Sequence, residues 1–190
     1  MELVSRAKGI ILQPNQEWQT ISAEPSSISG LYKGYVIILA AIGPLASIIG
    51  MSVMGMGFFG RMPVTAAAAS AVVAYLLTLA GVYVLAFIID ALAPTFAGEK
   101  NMEQAFKVAA YSYTPGWLAG IFLIIPALSV LSILGLYGLY LLYSGLPVLM
   151  KSPKEKSLGY TAAVVVAAIV IFIIIGVVSR AFMPSFSAMH

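Results

Sequence analysis

The sequence predicts an all-α integral membrane protein: a bundle of five transmembrane helices with a short amphipathic N-terminal interfacial helix. Three observations carry this. Only 9% of the 190 residues are charged while 61% are hydrophobic, against roughly 25% charged in ordinary soluble domains, so a water-facing surface cannot be coated. The stretch Ala162–Val178 has no polar side chain, and a helix that is apolar all round sits deep in a core or in lipid. About five such stretches recur, more than a chain of this length can bury in a core.

The elements follow in chain order. Residues 1–33 form a segment preceding the membrane domain, which occupies 34–190. In that segment Leu3, Val4, Ala7, Ile10 and Ile11 recur at helical spacing opposite Arg6 and Lys8, with Trp18 close behind. Apolar residues on one face, cations on the other and an indole nearby suit a helix in the headgroup region. No apolar run of a secretory signal follows Arg6 and Lys8. The spans are expected at about 34–59, 66–93, 104–126, 129–149 and 161–183, each long enough for ~30 Å of hydrocarbon at ~1.5 Å per residue. Pro126 and Ser129 are the only punctuation between the third and fourth, which predicts a tight hairpin.

Charge orients these spans. Arg6, Lys8, Lys33, Lys100, Lys107, Lys151, Lys154 and Lys156 fall in segments that share one side if there are five crossings, leaving Arg61 and Arg180 opposite. The positive-inside rule then puts the N-terminus in the cytoplasm and the C-terminus outside, as for a multi-pass protein of an inner (plasma) membrane.

Polar residues inside the spans are candidate functional groups. Asp90 is the only acidic residue within a span, and a carboxylate in hydrocarbon needs water or a partner. If it faces the bundle interior, Tyr83 and Phe87 share its face. Span 3 opens on Asn101 as N-cap with Gln104 at the reciprocal position, and Glu103 precedes Lys107 by one turn. Then comes Tyr111-Ser112-Tyr113-Thr114-Pro115, where Pro115 cannot donate to the carbonyl of Tyr111 and the helix should kink or open. In span 4, Tyr137, Tyr140 and Ser144 share one face, followed by Tyr143, while Gly138 and Gly145 share another that allows close helix approach. Gly43-Pro44, Ser47 and Gly50 in span 1, and Ser70, Ala74 and Thr78 in span 2, read the same way. The topology gathers Asp90, Tyr111, Ser112, Tyr113, Thr114, Pro115, Tyr140, Tyr143 and Ser144 in the cytoplasmic half of spans 2 to 4, as a binding pocket or a helix-locking network.

Other chemistries are excluded or weighed down. There are no cysteines, and the one histidine is the last residue, His190, so no Ser–His pair lies within the membrane. No HExxH, GxSxG or phosphate-loop motif occurs, and a single carboxylate makes no aspartyl dyad. Met51, Met54, Met56 and Met62 offer soft sulfur ligands that suit Cu(I), but without Cys or His they read better as fillers of irregular gaps. No cofactor is expected. The basic residues are scattered, which speaks against nucleic acid.

The run Ala110-Tyr111-Ser112-Tyr113-Thr114-Pro115, then Gly120, Pro126 and Tyr137-Gly138-Leu139-Tyr140-Leu141-Leu142-Tyr143-Ser144-Gly145-Leu146-Pro147, resembles the Yip1 family of multi-pass membrane proteins. The early stretch Ile11-Leu12-Gln13-Pro14-Asn15-Gln16-Glu17-Trp18 is similar to the start of its bacterial members, and Tyr160-Thr161 opening the last span fits too. The resemblance implies five spans with a cytoplasmic N-terminus. Eukaryotic members act in vesicle traffic with Rab-type GTPases, but their aspartate–leucine–tyrosine–glycine–proline motif does not precede span 1 here. The expectation is therefore a bacterial-type, non-enzymatic scaffold that organises lipid, copies of itself or other membrane proteins. The alternative is a small-solute or ion transporter with its site around Asp90, Tyr111 and the Pro115 break.

Overall fold

A computed structural model describes residues 3–55 and 61–182, with side chains to residue 174. Every regular element among the described residues is helical. The chain opens with two ten-residue helices, α1 (Leu3–Leu12) and α2 (Pro14–Ala23). Pro14 sits in the first turn of α2, where its missing N–H is not needed, so the chain turns at Gln13 and the helices fold back on each other. Gly9 lets the helices cross closely: a Cβ there would lie 2.5 Å from the Glu17 carboxylate, which would have to shift.

Among the described residues, four helices are long and apolar enough to cross a membrane: α3 (Ile28–Met54), α4 (Val64–Phe96), α7 (Pro126–Leu149) and, after a single 3₁₀ turn at Lys154–Lys156, α8 (Ser157–Phe182). The helix α3 starts six residues earlier than the sequence predicts, because Ser27 caps it by accepting from the Gly30 N–H at 3.1 Å. It is not uniform: Tyr32–Val36 and Gly50–Met54 are wound as π turns. The end of α4 is set by Ala97, whose φ of 56° places it in the left-handed region, with Gly98 N–H returning to the Ala93 carbonyl.

The expected third span is helical but interrupted. Helix α5 (Met102–Ser112) stops at Tyr113, and α6 (Thr114–Ala119) restarts with Pro115 in its first turn and tightens to 3₁₀ over Gly120–Ile124. The break thus falls on Tyr113, two residues before Pro115, whose ring crowds the preceding turn. Asn101 caps α5 as expected, accepting from Gln104 N–H at 3.0 Å. The reciprocal half of the box is not made: the Gln104 amide donates to the Ser22 carbonyl instead. The hairpin to α7 is tighter than the sequence predicts. Ile125 alone is extended, and Pro126 already begins the next helix. That helix runs as 3₁₀ from Pro126 to Leu136 and as α from Tyr137 to Leu149.

Helix α5 is the centre of the bundle, packed against α4 and α7, and every residue from Ala105 to Ser112 is buried. Lipid tails compete for any apolar contact, so helices associate through close approach and polar pairs. Glycines provide the approach. A Cβ on Gly120 would sit 2.7 Å from the Gly43 Cα, one on Gly50 2.1 Å from the Leu123 carbonyl, and one on Gly138 2.4 Å from the Ser112 carbonyl. Large apolar side chains such as Leu76, Leu77, Phe87, Ile133 and Ile173 are left exposed on the outer faces.

The turns after α4 and α7 lie together. Glu99 N–H donates to the Met150 carbonyl at 2.8 Å, and Lys151 pairs with Glu99 at 2.7 Å. The α1–α2 hairpin covers the same end, touching α5 and the α-helical part of α7.

Candidate functional site

The polar side chains of that end build one junction between the N-terminal hairpin and the bundle. Trp18, one turn into α2, is fully buried. Its indole lies over Gly145, where a Cβ would come within 2.8 Å of the ring, and its Nε1–H donates to Ser144 Oγ at 3.1 Å. Ser144 donates onward to the Leu141 carbonyl, also at 3.1 Å.

Tyr111 stands at the middle. Its ring meets Trp18 edge-on at 6.2 Å and Tyr35 at 4.8 Å, and the Arg6 guanidinium lies 5.8 Å from its centroid, within cation–π range. Arg6 donates from Nη1 to Glu17 and from Nη2 to Glu24. Beyond Tyr111, the Tyr35 and Thr114 hydroxyls share a buried hydrogen bond of 2.8 Å. Tyr35 belongs to the first π turn of α3, and Thr114 is the residue at which the broken helix restarts. Irregular helix at both sites aims the two hydroxyls at each other, and π turns recur at functional sites. Lys107 closes the assembly, its ammonium donating to the carbonyls of Ile21 at 2.9 Å and Glu24 at 2.6 Å.

The arrangement is electrostatically closed. Arg6 is only 3% exposed, a placement that is costly unless the charge is paired and hydrogen-bonded. Two carboxylates face it, and the Lys107 ammonium beside Glu24 balances the second. A cavity of about 230 Å³ adjoins the junction, bounded by Arg6, Glu24, Ser26, Ser27, Tyr35 and Tyr111. Chemically the junction is a clamp: ion pairs, hydrogen bonds and ring contacts fasten a helical hairpin to a helix break.

The structure divides the sequence-predicted residues among separate surroundings. Tyr111, Thr114 and Ser144 join the junction. Pro115 borders an apolar crevice with Ile11, Leu118 and Tyr137. Tyr113 stacks on Trp117 at 5.7 Å, and Ser112 borders an apolar recess with it, its hydroxyl buried and unpartnered. Tyr140 and Tyr143 face a third recess with Asn15, Gln19 and Lys154. Asp90 is elsewhere again, half-buried on α4, and its Oδ1 is buried with no partner among the described residues. Tyr83 and Phe87 are 48% and 61% exposed, so their face of α4 turns outward rather than into the bundle. Of the methionines, Met51 and Met62 are linked only by a backbone hydrogen bond, Met54 is exposed, and Met56 lies outside the described residues.

The sequence reading missed Arg6, Glu17, Glu24, Tyr35 and Lys107 as members. Arg6 was expected on the polar face of an interfacial helix, and Lys107 opposite Glu103. Both turn inward because carboxylates and carbonyls of α2 and its C-terminal end lie over them. The one usable signal was Pro14-Asn15-Gln16-Glu17-Trp18, which combines the helix start, the acid and the indole in five residues.

The family model of the Yip1 domain matches residues 8–175. Among curated proteins, the chain is 26% identical over 168 residues to the inner membrane protein YohC of Escherichia coli K12, covering 84% of this chain and 86% of that one. The inner membrane protein YohC of E. coli O6:H1 aligns with the same figures. No solved structure matches.

Proposed function

Because this chain belongs to the Yip1 family, we propose that it is a non-enzymatic, five-span protein of the inner membrane that organises partner proteins or lipid, with its N-terminal hairpin clamped over the cytoplasmic end. In this reading α5 and α6 together make the third crossing. The hairpin, the turn after α4 and the turn after α7 then share the cytoplasmic side, and the C-terminus is outside. The eight-to-two division of lysine and arginine supports that orientation.

One observation carries the scaffold reading. Tyr111, Thr114 and Ser144, three of the polar groups on which a transport site would draw, are spent on holding the hairpin, and Asp90 makes none of the junction's contacts. A passage served by Asp90 and the Tyr113 break together would require the two to share one wet space.

The test has two measurements. Cross-linking in cells followed by purification in mild detergent is expected to recover a homo-oligomer, a stable partner or retained lipid. Proteoliposomes carrying the wild type and Asp90→Asn are expected to show no difference in ion or solute flux. A bare monomer with no cross-linked partner and no lipid, or a flux abolished by Asp90→Asn, overturns the proposal.

A further inference from the structure

The recess that Tyr140 and Tyr143 face lies on the flank of the same end, where α2 passes the last turns of α7 and the start of α8. It encloses about 440 Å³ and is bordered by Asn15, Gln19, Tyr140, Tyr143, Lys154 and Ser157, with Ser144 and Pro147 behind. Ser144 is already occupied between Trp18 and Leu141. The others are not. Among the described residues, no hydrogen bond or ion pair holds the side chains of Asn15, Gln19, Tyr140, Tyr143 or Lys154. Ser157 is 1% exposed, and its buried hydroxyl has no partner. A buried hydroxyl without a partner is costly unless something supplies its bond.

The chemistry of the lining selects the occupant. Lys154, in the 3₁₀ turn that leads into α8, is the cation among the residues bordering the recess. The two tyrosines and two amides add neutral donors, and no carboxylate borders the recess. This is a lining for an anion of phosphate type. The position selects its source: α7 and α8 are membrane-crossing in length and composition, Tyr140 and Tyr143 are 43% and 41% exposed, and Leu158 next to Ser157 is 72% exposed. Tyrosines with an outward apolar edge and a polar tip belong at headgroup depth, and a soluble anion would need no apolar approach.

We propose that this recess is a binding site for the headgroup of an anionic phospholipid, its phosphate held by Lys154 and the Ser157 hydroxyl, with Asn15, Gln19 and Tyr143 around the polar head. The inference deepens the scaffold reading by naming lipid as what is held. The two fail separately: lipid retention can be lost while a protein partner still cross-links.

The test uses the full chain purified in mild detergent, delipidated and exchanged into nanodiscs of phosphatidylcholine containing a minor fraction of phosphatidylglycerol, with bound lipid read by native mass spectrometry after release. Wild type is expected to retain one phosphatidylglycerol selectively. Lys154→Gln is expected to lower that retention about fivefold, the worth of one lysine at an anionic lipid surface, and Tyr143→Phe to lower it less. Lys151→Gln, which removes the cation paired with Glu99 outside the recess, is expected to change nothing. Equal retention by wild type and Lys154→Gln, or equal loss in Lys154→Gln and Lys151→Gln, overturns the site. Retention of phosphatidylcholine equal to that of phosphatidylglycerol overturns the anionic assignment. Inorganic phosphate bound in lipid-free detergent with the same Lys154 dependence overturns the lipid source, and a lipid-free dimer that buries the recess overturns the occupant.

Discussion

Replacing Arg6 by Gln would strip Glu17 and Glu24 of the guanidinium that both accept from, leaving only the Lys107 ammonium near Glu24. Removing one partner of a buried ion pair costs about 3 kcal/mol or more, and the residue removed here is the more deeply buried one. Arg6→Gln is therefore expected to lower the melting temperature in detergent and to open the first 24 residues to limited proteolysis. Adding Glu24→Gln should recover part of the loss, since it removes one stranded carboxylate. If Arg6→Gln melts and resists protease as the wild type does, the guanidinium is not holding the hairpin. Gly145→Val probes the other fastening. Its side chain would occupy the space of the Trp18 ring, so Trp18 emission, read in a Trp117→Phe background, should shift to the red. These contacts show why single residues were hard to read from sequence. Arg6 and Glu24 are 18 positions apart, and Trp18 and Ser144 are 126 apart, so no local spacing announces either pair. Tyr111, Thr114 and Ser144 were readable because a polar group in an apolar run is conspicuous by itself. Arg6 and Lys107 were not, because a cation near the end of a span is ordinarily solvated.

The helices were far more legible than the contacts. Among the described residues, runs of apolar residues located the four helices long enough to cross a membrane, and Asn101 and Pro115 marked the start and the break of the interrupted segment between the second and third of them. What the pattern could not convey is local winding. Nothing in Tyr32-Lys33-Gly34-Tyr35-Val36 distinguishes a π turn from an α turn, since hydropathy is the same in both. The same holds for the early start of α3, where a serine cap outweighed the weaker hydropathy of Ile28–Lys33. Glycines belong to this level too, because they set how near two helices lie. Gly120→Val would drive a branched side chain into the Gly43 backbone. Overpacking of this kind costs about 1–3 kcal/mol, and here α3 and α6 must separate to relieve it. A lowered melting temperature with the Trp18 emission unchanged is the expected outcome. A simultaneous shift of Trp18 would mean that the two ends of the bundle are coupled.

Taken whole, the molecule has its hairpin and its two tied turns at one end, where the charge count places eight of its ten lysines and arginines. Cysteines introduced singly into this chain, which has none of its own, make the disposition measurable. Lys8→Cys and Lys154→Cys are expected to react with an impermeant maleimide only after the membrane is opened from the cytoplasmic side, and Ser187→Cys only from outside. Labelling of Lys8→Cys and Ser187→Cys from one side would mean an even number of crossings and would remove the charge argument for orientation. The family match covers most of the chain and is consistent with this plan. It could be anticipated from spaced glycines, tyrosines and prolines, because those residues are the ones that bend helices and bring them together.

The eleven-residue 3₁₀ run from Pro126 to Leu136 has no buried member. At ~2.0 Å per residue it climbs ~22 Å, where an α-helix would climb ~16 Å, and its bonds are poorly aligned. Its neighbour Gly120–Ile124 is wound the same way. One pole of the protein is thus stiff and the other compliant, so amide deuterium uptake in detergent should run fastest through 120–136 and slowest through Ala105–Ser112. Mechanical stress from a thinning or curving bilayer would be absorbed at the pliant pole, leaving the hairpin undisturbed.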